Sequence, residues 1–305
     1  MRLISTIRKE AEAGMGMSEA PTGVASTLAA MVARLPGTRQ NLPRPDGTQL
    51  HVVDSVSGDG VVLLVHGFGV SSSSWSLVHN MLVAQGFRVL AYDHRGHGLS
   101  TMGRDGIGSA QLVADLRAVV TSFDLRDATL VCHSMGNFVG IGALGNDEVR
   151  ARFARAVLVN PVTGNSLKGA PAVRLQGPLV RMGVIQRLAR WRLLGGVLAR
   201  ASLGPRPDPA VLEATRMSLA AVPKSVGPCT TMLQKESVAA MVPFLDLPLR
   251  VLTSTTDRTT PSWHAELIVA RASNARIDYV ADAGHMLPFE APAAVVAAVV
   301  GEEHQ

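Results

Sequence analysis

Short, wholly apolar runs alternate with longer stretches in which apolar positions recur every three or four residues. GVVLLVHG (60–67), RVLAYD (88–93), ATLVCHS (128–134) and ARAVLVNP (154–161) are the apolar runs. Between them lie SWSLVHNMLVAQGF, with Trp75, Val78, Leu82 and Val83 on one side, SAQLVADLRAVVTSFDL, and MGNFVGIGALG. Runs of the first kind predict strands buried on both faces, and the periodic stretches predict helices. Strands alternating with helices imply a parallel sheet covered on both sides. The rhythm stops near Val162. It resumes near Asp246 with a strand in LPLRVLTSTTD, a helix in SWHAELIVARA, a strand in ARIDYVADAGH and a helix in APAAVVAAVV. The simplest organisation is one doubly wound α/β sheet over residues 46–162 and 246–305, with an insertion at 163–245 between its sixth and seventh strands. Upstream, residues 1–45 carry no clear core pattern and are expected to be an N-terminal extension with one short helix in ASTLAAMVARLPG. A strand at 49–55, flanked by turns, enters the sheet as part of a hairpin.

Composition narrows this picture without changing it. Of 305 residues, 47% are hydrophobic and 17% charged, enough apolar material for a large core. No apolar run approaches the roughly 18–20 residues that cross a bilayer, and the N-terminus has basic residues but no long apolar segment of the signal-peptide kind. Two cysteines, Cys132 and Cys229, make neither a disulfide framework nor a zinc site. A cytoplasmic location is therefore expected. Aromatic residues make up only 4% of the chain, and no basic stretch is interleaved with them, so no nucleic-acid platform is expected.

The net charge of +5 is unevenly placed. Residues 161–245 hold eleven Lys/Arg against three Asp/Glu, so the insertion carries +8 and the remainder is slightly acidic. LVRMGVIQRLARWRLLGGVLAR mixes arginines with large apolar residues. Two readings stay open: a solvated helix face over an apolar pocket, or a cap that meets anionic lipid or a negatively charged substrate.

Candidate chemistry collects at the carboxyl ends of the predicted strands, where open α/β sheets place their ligands. Ser134 lies on a strand-to-helix turn with Gly136 two residues on, approaching the G-x-S-x-G elbow that lifts a nucleophile above the sheet. The first glycine is replaced by Cys132. Alone, such a serine would equally serve as a helix N-cap. His285, in the turn after the last strand, offers a base, and Asp257, past the preceding strand, an acid to orient it. Asp246 precedes its strand and Asp282 shares the histidine's own turn, so both are poorer candidates. A tetrahedral oxyanion needs two backbone N–H donors. Met135 follows the nucleophile, and Phe68 lies in the loop after the first buried strand; His66 reads as a structural residue of that loop. Asp93, His94 and His97 in DHRGHGLS resemble metal ligands in composition, but their glycine-rich loop fits a structural role better.

Together HGFG, YDHRGHGLS, CHSMG, the Asp257 turn and GHMLPFEAP resemble the α/β-hydrolase fold superfamily, nearest its lidded lipase, esterase and C–C hydrolase branch. The resemblance spans about 48–160 and 245–300. It implies an eight-stranded, mostly parallel sheet, a helical cap after strand 6, and no cofactor or metal. It also implies Ser134 as nucleophile, Asp257 as acid, His285 as base, and Phe68 and Met135 as oxyanion donors. Ser254, three before Asp257, stands where that family often has glycine. The expected activity is hydrolysis of a lipophilic carboxylic ester with an apolar acyl part. A thioesterase, a C–C bond hydrolase, a haloperoxidase-type perhydrolase and a ligand receptor with little turnover share the same features.

Overall fold

The computed structural model describes residues 23–164 and 176–301. Eight strands form one sheet: β1 (Thr38–Pro43), β2 (Gln49–Asp54), β3 (Gly60–Val65), β4 (Phe87–Tyr92), β5 (Ala128–His133), β6 (Phe153–Val159), β7 (Leu249–Ser254) and β8 (Ala275–Val280). Their order is β1-β2-β4-β3-β5-β6-β7-β8. β1 and β2 pair antiparallel, as do β2 and β4; all other pairs are parallel.

The two-residue period sorts the core into two layers. Leu63, Val65, Leu90, Tyr92, Leu130, Cys132 and Leu158 face one layer, with Leu112 and Leu116 of α3 (Ser109–Ser122) and Val139 of α4 (Met135–Leu144). Val62, Leu64, Val89, Val131 and Val157 face the other, against Val78 and Leu82 of α2 (Ser76–Ala84) and Val295 and Val299 of α11 (Pro292–Val300). β3 lies between β4 and β5, so the chain leaves it toward one side and later returns on the other. The loops after β3 and β5 diverge there and open a crevice at the carboxyl edge.

The boundary expected at residue 45 moves. α1 (Gly23–Val32) and β1 belong to the folded body, Met31 packing with Ala210, Val211 and Phe289. β1 reads TRQNLP and, as an edge strand, has five of its six residues exposed. With only one face to cover it needs no apolar alternation, which is why its pattern is silent. Among the described residues five α-helices run between β6 and β7: α5 (Gln176–Met182), α6 (Val184–Ala189), α7 (Arg192–Arg200), α8 (Pro209–Ala221) and α9 (Pro228–Lys235). α10 (Trp263–Arg271) joins β7 to β8. No helix among the described residues is long and apolar enough to cross a membrane.

Candidate active site

Ser134 sits between β5 and α4 with φ 53° and ψ −120°, a conformation L-residues rarely adopt. Its surroundings enforce it. A Cβ on Gly136 would lie 2.4 Å from the Val65 carbonyl oxygen, and one on Gly67 would lie 3.0 Å from Ser134 Cβ. Cys132, at the position where a glycine is usual, is accommodated from the opposite side. Gly140 of α4 faces it, and a Cβ there would stand 2.6 Å from the Cys132 sulfur. Burial pushes the Cys132 thiol pKa up, leaving it a neutral packing group.

The structure brings Ser134, His285 and Asp257 together, all three buried. The Ser134 hydroxyl lies 3.0 Å from His285 Nε2, and His285 Nδ1 lies 2.8 Å from Asp257 Oδ2. Asp257 Oδ1 accepts the N–H groups of Thr259 at 2.7 Å and Thr260 at 2.9 Å; the Thr260 hydroxyl reaches Oδ2 at 2.8 Å. Burial works to raise the Asp257 pKa, but the His285 ring and the Thr260 donors outweigh it and hold the carboxyl below its usual range. Asp246 instead pairs with Arg150 at 2.6 Å. Asp282 makes no hydrogen bond to His285 among the described residues.

Several supports escape sequence reasoning. His285 N–H donates to the Ser202 carbonyl at 2.7 Å, and its own carbonyl accepts from His133 Nε2 at 2.8 Å and Asn160 Nδ2 at 3.0 Å. Asn160, with φ 41°, ends β6 and also accepts the Ser254 N–H at 2.8 Å, locking the strand ends together. Ser254, the second departure from the family pattern, donates its hydroxyl to the Ala283 carbonyl beside the His285 turn. Glu290 accepts three backbone N–H groups: Gly204 at 2.7 Å and Gly284 at 3.0 Å on Oε1, and Met286 at 3.0 Å on Oε2. Burial raises the Glu290 pKa in spite of these three donors. Gly204 and Gly284 let the backbones touch, since a Cβ on Gly284 would lie 2.3 Å from Leu203 C. The signal for Glu290 was present in GHMLPFEAP, as an acid five residues past the histidine. The Gly204 contact crosses some eighty residues of sequence and leaves no local trace.

Phe68 borders the same cavity as Ser134. Met135 begins α4, so its N–H has no acceptor within the helix. Neither N–H has a hydrogen-bond partner among the described residues. His66 fixes the Phe68 loop: Nε2 accepts the His94 N–H at 2.9 Å, so Nδ1 carries the proton and donates to the Gly67 carbonyl at 2.7 Å. Burial lowers its pKa to about 4. The metal-like trio is otherwise engaged. Asp93 accepts from Ser72 and Leu99, His94 bonds Tyr92 and the His66 carbonyl, and His97 Nδ1 meets the Arg95 carbonyl. Among the described residues no cluster of His, Cys, Asp or Glu is arranged to hold a metal.

Above Ser134 and His285 lies a cavity of about 160 Å³. Val180, Ile185, Leu219, Val222 and Leu233 of the insertion line it opposite Phe68, Val70 and Met286, and among the described residues no Lys, Arg, Asp or Glu contributes. Arg187, Arg190 and Arg192 instead lie exposed on the outside. A charged substrate chosen by these arginines is therefore at odds with the cavity's lining.

Residues 62–299 match the family model described as the alpha/beta hydrolase family, and the chain belongs to that family. It is similar to a non-heme chloroperoxidase of Burkholderia pyrrocinia, 37% identical over 108 residues; the match covers 35% of this chain but only 39% of that protein. In fold it is similar to an esterase from Exiguobacterium antarcticum, with TM-score 0.76, 17% identity, and 87% and 98% of the two chains covered. It also resembles a bromoperoxidase from Bacillus anthracis, with TM-score 0.75, 20% identity, and 86% and 98% covered.

Proposed function

We propose that the protein is a serine hydrolase that cleaves a carboxylic ester with an apolar acyl part. The observation that carries this is the unbroken hydrogen-bonded chain Asp257–His285–Ser134, set on a strained elbow that opens into an apolar cavity. Ser134 Oγ attacks the ester carbonyl carbon while His285 Nε2 takes the hydroxyl proton. Asp257, held ionised, keeps the Nδ1 proton in place and stabilises the imidazolium. The oxyanion of the tetrahedral intermediate receives the N–H groups of Met135 and Phe68. Collapse expels the alcohol, which takes the proton from His285. Water, deprotonated by His285, then attacks the acyl-enzyme and releases the acid and free Ser134. The helices α5–α9 act as a lid that keeps bulk water from the cavity.

The cavity sets the scale of the acyl group. A dry cavity of about 150 Å³ holds a benzene ring, so a ring-sized or short acyl group fits better than a long fatty chain. Across p-nitrophenyl esters of increasing length, kcat/KM is expected to peak at short chains. A fluorophosphonate probe is expected to tag Ser134, and Ser134→Ala to lose on the order of 10⁴-fold in kcat. Unlabelled wild-type protein, or a folded Ser134→Ala variant with most of its activity, would overturn the assignment.

A second reading is favoured by the chloroperoxidase relative. Hydrogen peroxide in place of water at the acyl-enzyme would give a peroxyacid and free Ser134, and the peroxyacid would then oxidise halide. Peroxide-dependent bromination that disappears with Ser134→Ala supports it; bromination that survives the substitution rules it out.

A further inference from the structure

The outer surface of α6 and α7 reverses the usual order of a surface helix. Leu193 is 87% exposed, Val197 70% and Trp191 65%, with Leu188 and Leu194 also exposed beside them. The fully buried residues of α7 are Gly195 and Ala199, with Leu198 half-buried beside them. A Cβ on Gly195 would stand 2.4 Å from the Ala189 carbonyl oxygen, so small residues seat α7 on α6 while the large apolar ones point away. Leu193 and Val197, four apart, share one face.

This apolar ridge is set among positive charge. Arg187, Arg190, Arg192 and Arg200 are exposed around it, and no Asp or Glu occurs between Glu148 and Asp208. Arg187, Arg190 and Arg192 make no ion pair among the described residues. Glu213, whose carboxylate senses Arg192, is already held at both oxygens by Arg216. A second copy of the chain is a poor occupant, because a two-fold interface would set these arginines against one another.

We propose that α6–α7 is a docking surface for anionic phospholipid bilayers. Trp191, Leu193 and Val197 enter the headgroup boundary while the arginines meet the lipid phosphates. An exposed apolar strip flanked by arginines, with a tryptophan at its end, has the chemistry of a helix lying in that interface. Ile185 of α6 lines the cavity that holds Ser134, so the docked face and the pocket share one helix. The proposal does not rest on the hydrolase reading.

The test uses full-length Ser134→Ala protein, so binding is read apart from turnover. It should co-sediment with phosphatidylglycerol vesicles and about tenfold less with phosphatidylcholine, and raising salt from 50 to 500 mM should weaken it by a similar factor. Trp191 emission should shift to the blue and be quenched by brominated lipid, and Trp191→Phe should remove most of that signal. Leu193→Asp with Val197→Asp should abolish binding at an unchanged melting temperature. Replacing Arg187, Arg190 and Arg192 by Gln should remove the salt dependence. No binding to phosphatidylglycerol at low salt, full binding by the double aspartate variant, or a concentration-dependent dimer that this variant dissolves would each overturn the proposal.

Discussion

Glu290→Gln separates position from stability at the candidate site. The carboxylate joins three N–H groups: Gly284 and Met286, on either side of His285, and Gly204 from the insertion. Glutamine keeps one oxygen. If that oxygen takes the place of Oε1, its NH2 group faces the Met286 N–H, and one buried charge-assisted bond is lost, worth about 1.5–3 kcal/mol. The opposing effect is that burial raises the Glu290 pKa, so its ionised form is held in the fold at a cost that a neutral amide escapes. The sign follows: a raised carboxyl pKa contributes stability below its ordinary value of 4.5 and loses it as pH rises through the folded value. At neutral pH the two effects partly cancel, and the melting temperature should move by no more than about 4 °C. Geometry has no such compensation. Losing the Met286 bond frees the turn that aims His285, and 1.4–2.7 kcal/mol of misplacement corresponds to about 10- to 100-fold in kcat. Steady-state kinetics on a short p-nitrophenyl ester should show that fall with KM nearly unchanged. A kcat within twofold of wild type would refute the reasoning, as would a fall in kcat accompanied by a large loss of stability.

Gly140→Ala should destabilise by about 1–3 kcal/mol through the clash with the Cys132 sulfur. In a Cys132→Gly background the same substitution should be neutral or stabilising, and additive effects in chemical denaturation would show that the two positions do not share one space. Burial lowers the pKa of His66 and His264 to about 4 and of His97 and His133 to about 3, from an ordinary 6.5. The fold thus holds these rings neutral, and their contribution is present above pH 6.5 and lost as pH falls toward 4 and below. Melting temperatures should drop steeply over that window, and a flat profile from pH 7 to 4.5 would contradict it.

What was legible in the sequence follows from how each element is stabilised. β3 to β7 announce themselves because strands covered on both faces must be apolar throughout. The elbow shows in CHSMG because Gly136 has no room for a Cβ, which would lie 2.4 Å from the Val65 carbonyl oxygen. Ser134, Asp257 and His285 could be named because each ends a strand that could itself be named. β1 could not, since an edge strand with TRQNLP is held by backbone bonds to β2 alone on one side. The cavity was illegible for a related reason: its lining combines residues from 68 to 286, and its modest volume depends on how α5, α6, α8 and α9 settle over the sheet. Sequence registered the insertion's charge but not where it points, and Arg187, Arg190 and Arg192 lie on the outside.

The insertion is also less separable than its composition suggests. A change from an αβ rhythm to Arg-, Pro- and Gly-rich helices looks like a boundary between a catalytic core and an addition. The hydrogen bonds ignore it: Ser202 holds the backbone N–H of His285, and Gly204 shares Glu290 with the residues on either side of that histidine. α8 packs on Met31 of α1 and on Phe289 beside Glu290, so the insertion is braced from the N-terminal side as well. Any motion that lifts α7 and the 202–204 segment must therefore break bonds to the turn that carries His285. On the proposed reading of His285 as the base, the segment that follows α7 is therefore part of what positions the imidazole, and losing its contacts would loosen the turn that carries the ring.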